Sequence, residues 1–204
     1  MENNNLVDSM RESILNDNIS KIDSDSINDL LSKGLQSVRD INIPIVGCII
    51  QISTSISDTM FMKKCLKFLK GISDIPKEKR YEFIGDLSVR NQEDAAELIL
   101  SIINKLDHPQ KIELICKLFK AKVFDEISID DFIRLSFMIE KCPYIDLLYL
   151  REYEKPNYIP GSTELLSSAG LIEKTIYDFG GAEGGGCDKY SLTNLGKILL
   201  RYII

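Results

Sequence analysis

Apolar residues recur every three to four positions along most of this chain, and the spacing falls to two only near its end. The first rhythm lines one face of an α-helix and the second one face of a β-strand. Leu6, Met10, Ile14 and Ile22 fall near one helical face. Ser26 with Asp29 reads as a capping box ahead of Ile27, Leu30, Leu31 and Leu35. This opening stretch is rich in Asn, Ser and Asp and holds Gly34, so its helices are marginal alone. Ile41 to Ile52 is the most apolar window, and Pro44 predicts a helix start inside it. It is far shorter than the roughly twenty residues of a spanning helix, so a buried core helix is expected. An interfacial or re-entrant membrane segment is the alternative. Phe61, Cys65, Phe68, Leu69 and Ile72 make the next stripe. Asp74 as N-cap and Pro76 in the first turn predict a helix from about residue 75 to 87. Helices are then expected over about 92–106, 109–124, 129–142 and 144–153. Ile112, Ile115, Leu118 and Phe119 form one core stripe. Ser128 with Asp131 caps another, made of Phe132, Leu135, Ile139 and Cys142. Short connections between helices of similar length imply an antiparallel bundle.

After Arg151 the pattern changes. Pro156, Pro160 and Gly161 stand among polar and tyrosine residues, the composition of a domain boundary. Tyr144, Tyr149, Tyr153 and Tyr158 surround it and are expected to pack at the junction. Leu165, Leu166 and Leu171 predict the inward face of a short helix region that Gly170 stops in the left-handed conformation. Ile172, Thr175 and Tyr177 alternate with polar positions, as on a half-buried strand. A turn is expected from Gly180 to Gly186, and Tyr190 and Leu192 sit on the returning strand. Thr193 then caps a last helix with Leu195, Ile198, Leu199 and Tyr202 facing inward.

Helix, strand, Gly-rich turn, strand and helix, with the closing Leu192-Thr193-Asn194-Leu195-Gly196, resembles the C-terminal half of winged-helix domains. The resemblance implies a surface for DNA or for another protein. The expected fold class is mainly α. Residues 1–40 form a polar N-terminal helical segment and 41–155 a helical bundle. Residues 156–204 form a winged-helix-like α+β module with a two-stranded hairpin.

Charge changes what that surface is expected to meet. The 204 residues carry 31 acidic and 25 basic side chains, a net charge of −6, so no global field draws nucleic acid. The candidate recognition helix, residues 162–168, carries Glu164 and hydroxyls but no Arg, Lys, Asn or Gln. The wing carries Asp178, Phe179, Glu183 and Asp188, with Lys189 its lone nearby cation. Carboxylates facing phosphates repel them, so nucleic acid is disfavoured. The chain has a single basic cluster: Lys63, Lys64, Lys67 and Lys70, followed by Lys77, Lys79 and Arg80. A solvated face is the plain expectation; contact with anionic lipid, nucleic acid or an acidic partner is the functional one.

The residues also exclude much chemistry. His108 is the only histidine, beside Pro109 in a turn, and Trp is absent. Cys48, Cys65, Cys116, Cys142 and Cys187 are odd in number and scattered, which suits a reducing cytoplasm. The polar N-terminus has no secretory pattern. Abundant Ile, Asn, Lys, Asp and Ser suggest an AT-rich bacterial genome. The glycine run lacks the Gly-Lys-Ser/Thr ending of a phosphate loop. Asp125 to Phe132 lacks the alternating ligands and central glycine of a calcium loop. Glu93-Asp94 and Asp130-Asp131 are expected in first turns of helices, where they favour the dipole. No catalytic residue, cofactor or metal ligand is therefore assigned, and no enzyme is expected.

The runs Ile43 to Gly47, Ser57 to Lys64 and Phe68 to Pro76, with Lys117 to Ala121 and Asp131 to Leu135, resemble a family of bacterial and prophage-encoded helical proteins. The family supplies no activity; it implies a bacterial or phage-related setting, phage defence among such settings. The leading expectation is a cytoplasmic, non-enzymatic module that binds another protein or itself. Its contact residues would be the wing, Asp178 to Lys189, and the basic face, Lys63 to Arg80. One alternative is an effector peripheral to the inner membrane face, inserting Ile41 to Ile52 and meeting an anionic membrane surface with its lysines. The other is a winged-helix DNA-binding regulator.

Overall fold

The computed structural model describes residues 2–34, 38, 41–52, 55–91, 94–154, 163–175 and 189–203. Among them are eleven α-helices and one two-stranded antiparallel sheet, the mainly helical class the periodicity predicts. The chain divides into two compact units, Met1–Phe132 and Ile133–Ile204. The Pro- and Gly-containing stretch 155–162, read from sequence as the boundary, lies outside the described residues.

The first unit holds α1 (Glu2–Ile14), a 3-10 turn (Asp17–Lys21), α2 (Ser24–Lys33), α3 (Pro44–Ile52), α4 (Ile56–Gly71), α5 (Lys77–Asn91), α6 (Ala95–Lys105), α7 (Pro109–Val123) and the start of α8 (Ile129–Lys141). Helix α4 is its axle, packed by α2, α3, α6 and α7. Met62, Cys65, Leu66, Phe68 and Leu69 carry that packing and are all buried. Four rings close the interior. Phe83 lies 3.9 Å from Phe119 and 5.1 Å from Phe132, and Phe68 meets Phe119 edge-on at 5.8 Å. Such aromatic pairs add about 0.5–1.5 kcal/mol beyond their burial.

The polar N-terminal segment is held by tertiary contacts rather than by its own propensity. Helix α1 packs on α3 and α6, with Met10 and Ile14 fully buried. Buried Ser13 donates from Oγ to the carbonyl of Ser9 at 2.6 Å and accepts from the N–H of Ile45 at 2.9 Å. Ile45 lies in the first turn of α3, whose preceding residue, Ile43, has no side-chain acceptor. Ser13 therefore supplies from another helix the cap that α3 lacks.

Helix α3 is the core helix expected from Ile41 to Ile52. Ile43, Ile45, Val46, Cys48 and Ile49 are all buried, leaving Gly47 and Gln51 facing water. Those five apolar side chains are used inside the unit, while Ile41 and Ile50 are half-buried. No helix among the described residues is long and apolar enough to cross a membrane.

Two predicted caps fall elsewhere. Asp23, not Ser26, caps α2 and accepts from the N–H of Ser26 at 3.1 Å. Helix α5 begins at Lys77 with the carbonyl of Pro76 taking the first bond, while Asp74 pairs with Lys120 at 2.8 Å. Asp94 stands before α6 as its N-cap and also pairs with Arg11, whose pKa that bond raises. The Ser128–Asp131 box forms reciprocally at the start of α8.

The second unit continues α8 into α9 (Tyr144–Leu148), a 3-10 turn (Tyr149–Glu154), α10 (Glu164–Ser168), β1 (Ile172–Thr175), β2 (Lys189–Leu192) and α11 (Asn194–Ile203). The strands pair with Ile172 opposite Leu192 and Thr175 opposite Lys189. Leu166, Leu171, Ile172, Leu192, Leu199 and Leu200 are buried. Four expected inward positions are not fully covered: Leu165 is 44% exposed, and Leu195, Ile198 and Tyr202 are half-buried, as Leu200 takes the inner face of α11. Tyr149, expected to pack, is 49% exposed, whereas Tyr153 is buried.

The Leu-Thr-x-x-Gly close has a physical cause. Thr193 donates from Oγ1 to the carbonyl of Gly170 at 2.8 Å and accepts from the N–H of Gly196 at 3.1 Å. A Cβ on Gly196 would stand 2.0 Å from the carbonyl oxygen of Leu171, so only glycine lets α11 approach this closely. Gly170 stops α10 at φ +79°, as its sequence position predicts.

Candidate functional site

Of the predicted wing, Asp178, Phe179, Glu183 and Asp188 lie outside the described residues; Lys189 opens β2 and is half-buried. The short helix before the hairpin, α10, packs most on α9 and β1. Between them those two elements carry one lysine, Lys174, and two acids, Asp146 and Glu173. Helix α10 itself carries no cation.

The basic cluster separates into individual contacts. Arg80 leaves it altogether: it is 3% exposed and donates from Nη1 to the carbonyls of Ile14 and Asn16, the latter at 3.3 Å. A cation on the last carbonyls of α1 is a C-terminal cap supplied by α5. Lys77 pairs with Asp17 at 3.5 Å and Lys79 with Glu82 at 2.9 Å, both in the solvent. Lys70 reaches the carbonyl of Ser20 at 3.5 Å.

Lys63, Lys64 and Lys67 stay together. With Met60 they form the α4 wall of a cavity of about 160 Å³, whose other wall is Asp107, His108, Pro109 and Ile112 at the start of α7. His108 caps α7, its Nδ1 accepting from the N–H of Gln110 at 3.4 Å. Asp107 is bonded by the buried Lys111 at 2.7 Å, and that hydrogen bond holds its carboxyl below the usual range. Lys64 donates to the carbonyl of Asn104 at 2.9 Å, and desolvation lowers its pKa. A larger, more open depression of about 410 Å³ lies on the other flank of α4, with Asp58 and Glu97 in its lining.

Sequence reasoning missed a different surface. Ile145 stands one helical turn before the adjacent Leu148 and Tyr149 around α9, and the three are 58%, 42% and 49% exposed. Leu165, also exposed, is on α10, which packs against α9. The buried partners of this stretch are Leu147 and Leu150. The segment is thus apolar on both faces, the signal that one of them is not used by its own fold.

None of the described acids, thiols or histidine forms a group that would hold a metal. Cys48, Cys65, Cys116 and Cys142 are free and buried, and burial pushes the thiols of Cys65 and Cys116 up to about 12. Buried thiols held protonated are poor nucleophiles. No protein-family profile, curated protein or solved structure matches this chain.

Proposed function

We propose that this chain is a non-enzymatic interaction module whose C-terminal unit, winged-helix-like in its order of elements, docks another protein or a second copy of itself. The observation that carries the reading is the exposed apolar face of Ile145, Leu148 and Tyr149, with Leu165 on the adjoining helix. Contiguous apolar surface of this kind is a mark of association. Fully burying one such side chain is worth about 1.5–3 kcal/mol, so covering the exposed halves of four gains roughly 3–6 kcal/mol. A micromolar complex needs about 8 kcal/mol, which leaves a rim of polar contacts to supply the rest. The acidic composition and the lack of cations on α10 favour a polypeptide over a duplex.

The test places a photo-crosslinking amino acid at Tyr149 and, as a control, at Tyr81, which is 68% exposed in the first unit. The expected result is one discrete adduct from position 149 in native cells, or a dimer in the purified protein. Ile145→Glu with Leu148→Glu should abolish it while leaving the thermal melt unchanged. No adduct at 149, with a monomer by sedimentation at the highest workable concentration, would overturn the reading. A duplex shift at low salt that depends on α10 residues would replace it with DNA binding.

A further inference from the structure

We propose that the cavity between α4 and the start of α7 binds a small amphiphilic anion, a carboxylate or phosphate group on an apolar body of a few carbons. The charge on its wall is not neutralised from within. Lys63 and Lys67 sit four residues apart on α4, and Lys64 and Lys67 three apart, spacings at which like charges face each other and destabilise a helix. Lys64 has the carbonyl of Asn104, but Lys63 and Lys67 have no hydrogen-bond or ion-pair partner among the described residues. The one carboxylate in the lining, Asp107, is taken by Lys111 at 2.7 Å. All three lysines are half-buried, so their charge is less screened than that of a fully exposed lysine.

The rest of the lining sets the ligand's other end. Met60, Pro109 and Ile112 offer apolar surface beside the lysines. The volume, about 160 Å³, equals that of roughly five liquid waters and admits a ring or short chain rather than a nucleotide. The first turn of α7, at the same wall, adds a dipole favouring negative charge. Desolvation already disfavours the charged form of Lys64, and an anion would restore it. The larger depression on the other flank carries Asp58 and Glu97 and would repel the same ligand.

Calorimetry on the full chain with phenyl phosphate, hexanoate and inorganic phosphate tests this. Saturable one-site binding of phenyl phosphate or hexanoate, tighter than inorganic phosphate, is expected. Lys63→Gln with Lys67→Gln should weaken it about a hundredfold or more, about tenfold for each charged hydrogen bond lost. That variant relieves repulsion and should melt no lower than the parent. Met60→Ala should weaken phenyl phosphate and leave inorganic phosphate unchanged, and Lys79→Gln should change neither. Vesicles of equimolar phosphatidylcholine and phosphatidic acid distinguish the source. Capture that is competed by phenyl phosphate and lost in the double lysine variant supports the site, with a lipid headgroup as ligand. Absence of saturable binding by any probe overturns the proposal. So does equal weakening by Lys79→Gln, or vesicle capture that survives the double variant while free probes do not bind.

Discussion

Replacing Arg80 with methionine removes a cation from the interior of the first unit and separates the two accounts of that residue. As part of a partner-binding face, Arg80 would matter to binding and little to folding. As the structure places it, 3% exposed against the end of α1, it matters to folding. Its Nη1 serves the carbonyls of Ile14 and Asn16. Hydrogen bonds from a charged donor are worth about 1.5–3 kcal/mol each, so the pair contributes roughly 3–6 kcal/mol. Against that stands a buried Nε with no hydrogen-bond partner among the described residues, a cost of about 1–3 kcal/mol that methionine removes. Asp17 lies 4.0 Å from Nη2 and is 76% exposed, so it adds at most a few tenths of a kcal/mol. The net expectation is a loss of about 2–3 kcal/mol. Urea unfolding followed by far-UV circular dichroism measures it. Arg80→Lys should lose an intermediate amount, because an ammonium is more strongly hydrated than a guanidinium and costs more to bury. Lys77→Ala and Lys79→Ala should stay within about 0.5 kcal/mol of the parent. An Arg80→Met variant as stable as Lys79→Ala would refute the capping account.

Three further substitutions probe the frame. Ser13→Ala orphans the buried N–H of Ile45 and should cost about 1–3 kcal/mol in the same urea assay. Ser20→Ala, which loses only an exposed bond to Asp17, should cost within about 0.5 kcal/mol. Gly196→Ala drives a Cβ to 2.0 Å from the carbonyl of Leu171 and should destabilise the second unit by about 2 kcal/mol or more, read as a lower Tm. The thiols of Cys65 and Cys116 rise from 9.0 to about 12 on burial, so between those values the folded chain holds more protons than the unfolded one. Their stability is complete below pH 9 and is lost as pH rises toward 12. Between pH 8 and 10 the two together should cost on the order of 3 kcal/mol, a slope that Cys65→Ala with Cys116→Ala should flatten.

The fold was legible wherever one periodic face decided the matter. The stripes through Phe68 and Leu69, Ile112 to Phe119, and Phe132 to Cys142 are buried as their spacing predicts. Caps were legible when nothing competed for them. Ser128 and Asp131 bond each other, and Thr193 meets Gly196, because these partners are three residues apart and no nearer group intervenes. Ser26 with Asp29 had the same spacing, but Asp23 stood one turn earlier and took the N–H of Ser26. Asp74 was drawn away by Lys120, a partner remote in sequence that local rules do not see. The cap on α3 was illegible for the same reason: Ser13 reaches it from 32 residues away.

Only nearness along the chain joins Lys77, Lys79 and Arg80 to the lysines of α4, and nearness is the wrong measure on a helix. Arg80 precedes Phe83, Ile84 and Leu87 by three, four and seven residues, so the rhythm that buries those three places Arg80 beside them. Read by helical phase, it is a buried cation in need of acceptors, and the end of α1 supplies them. Lys77 and Lys79 are exposed although phase sets them at the edges of that stripe, because they lie in the first turn of α5. Phase cannot give the other half of the answer for Lys63, Lys64 and Lys67. Their shared face follows from spacing, but the opposing wall of Asp107, Pro109 and Ile112 comes from α7 through tertiary packing. The same reasoning exposes Ile145, Leu148 and Tyr149. Since Leu147 and Leu150 already satisfy the core, the second apolar face of that stretch needs a cause outside its own unit's core.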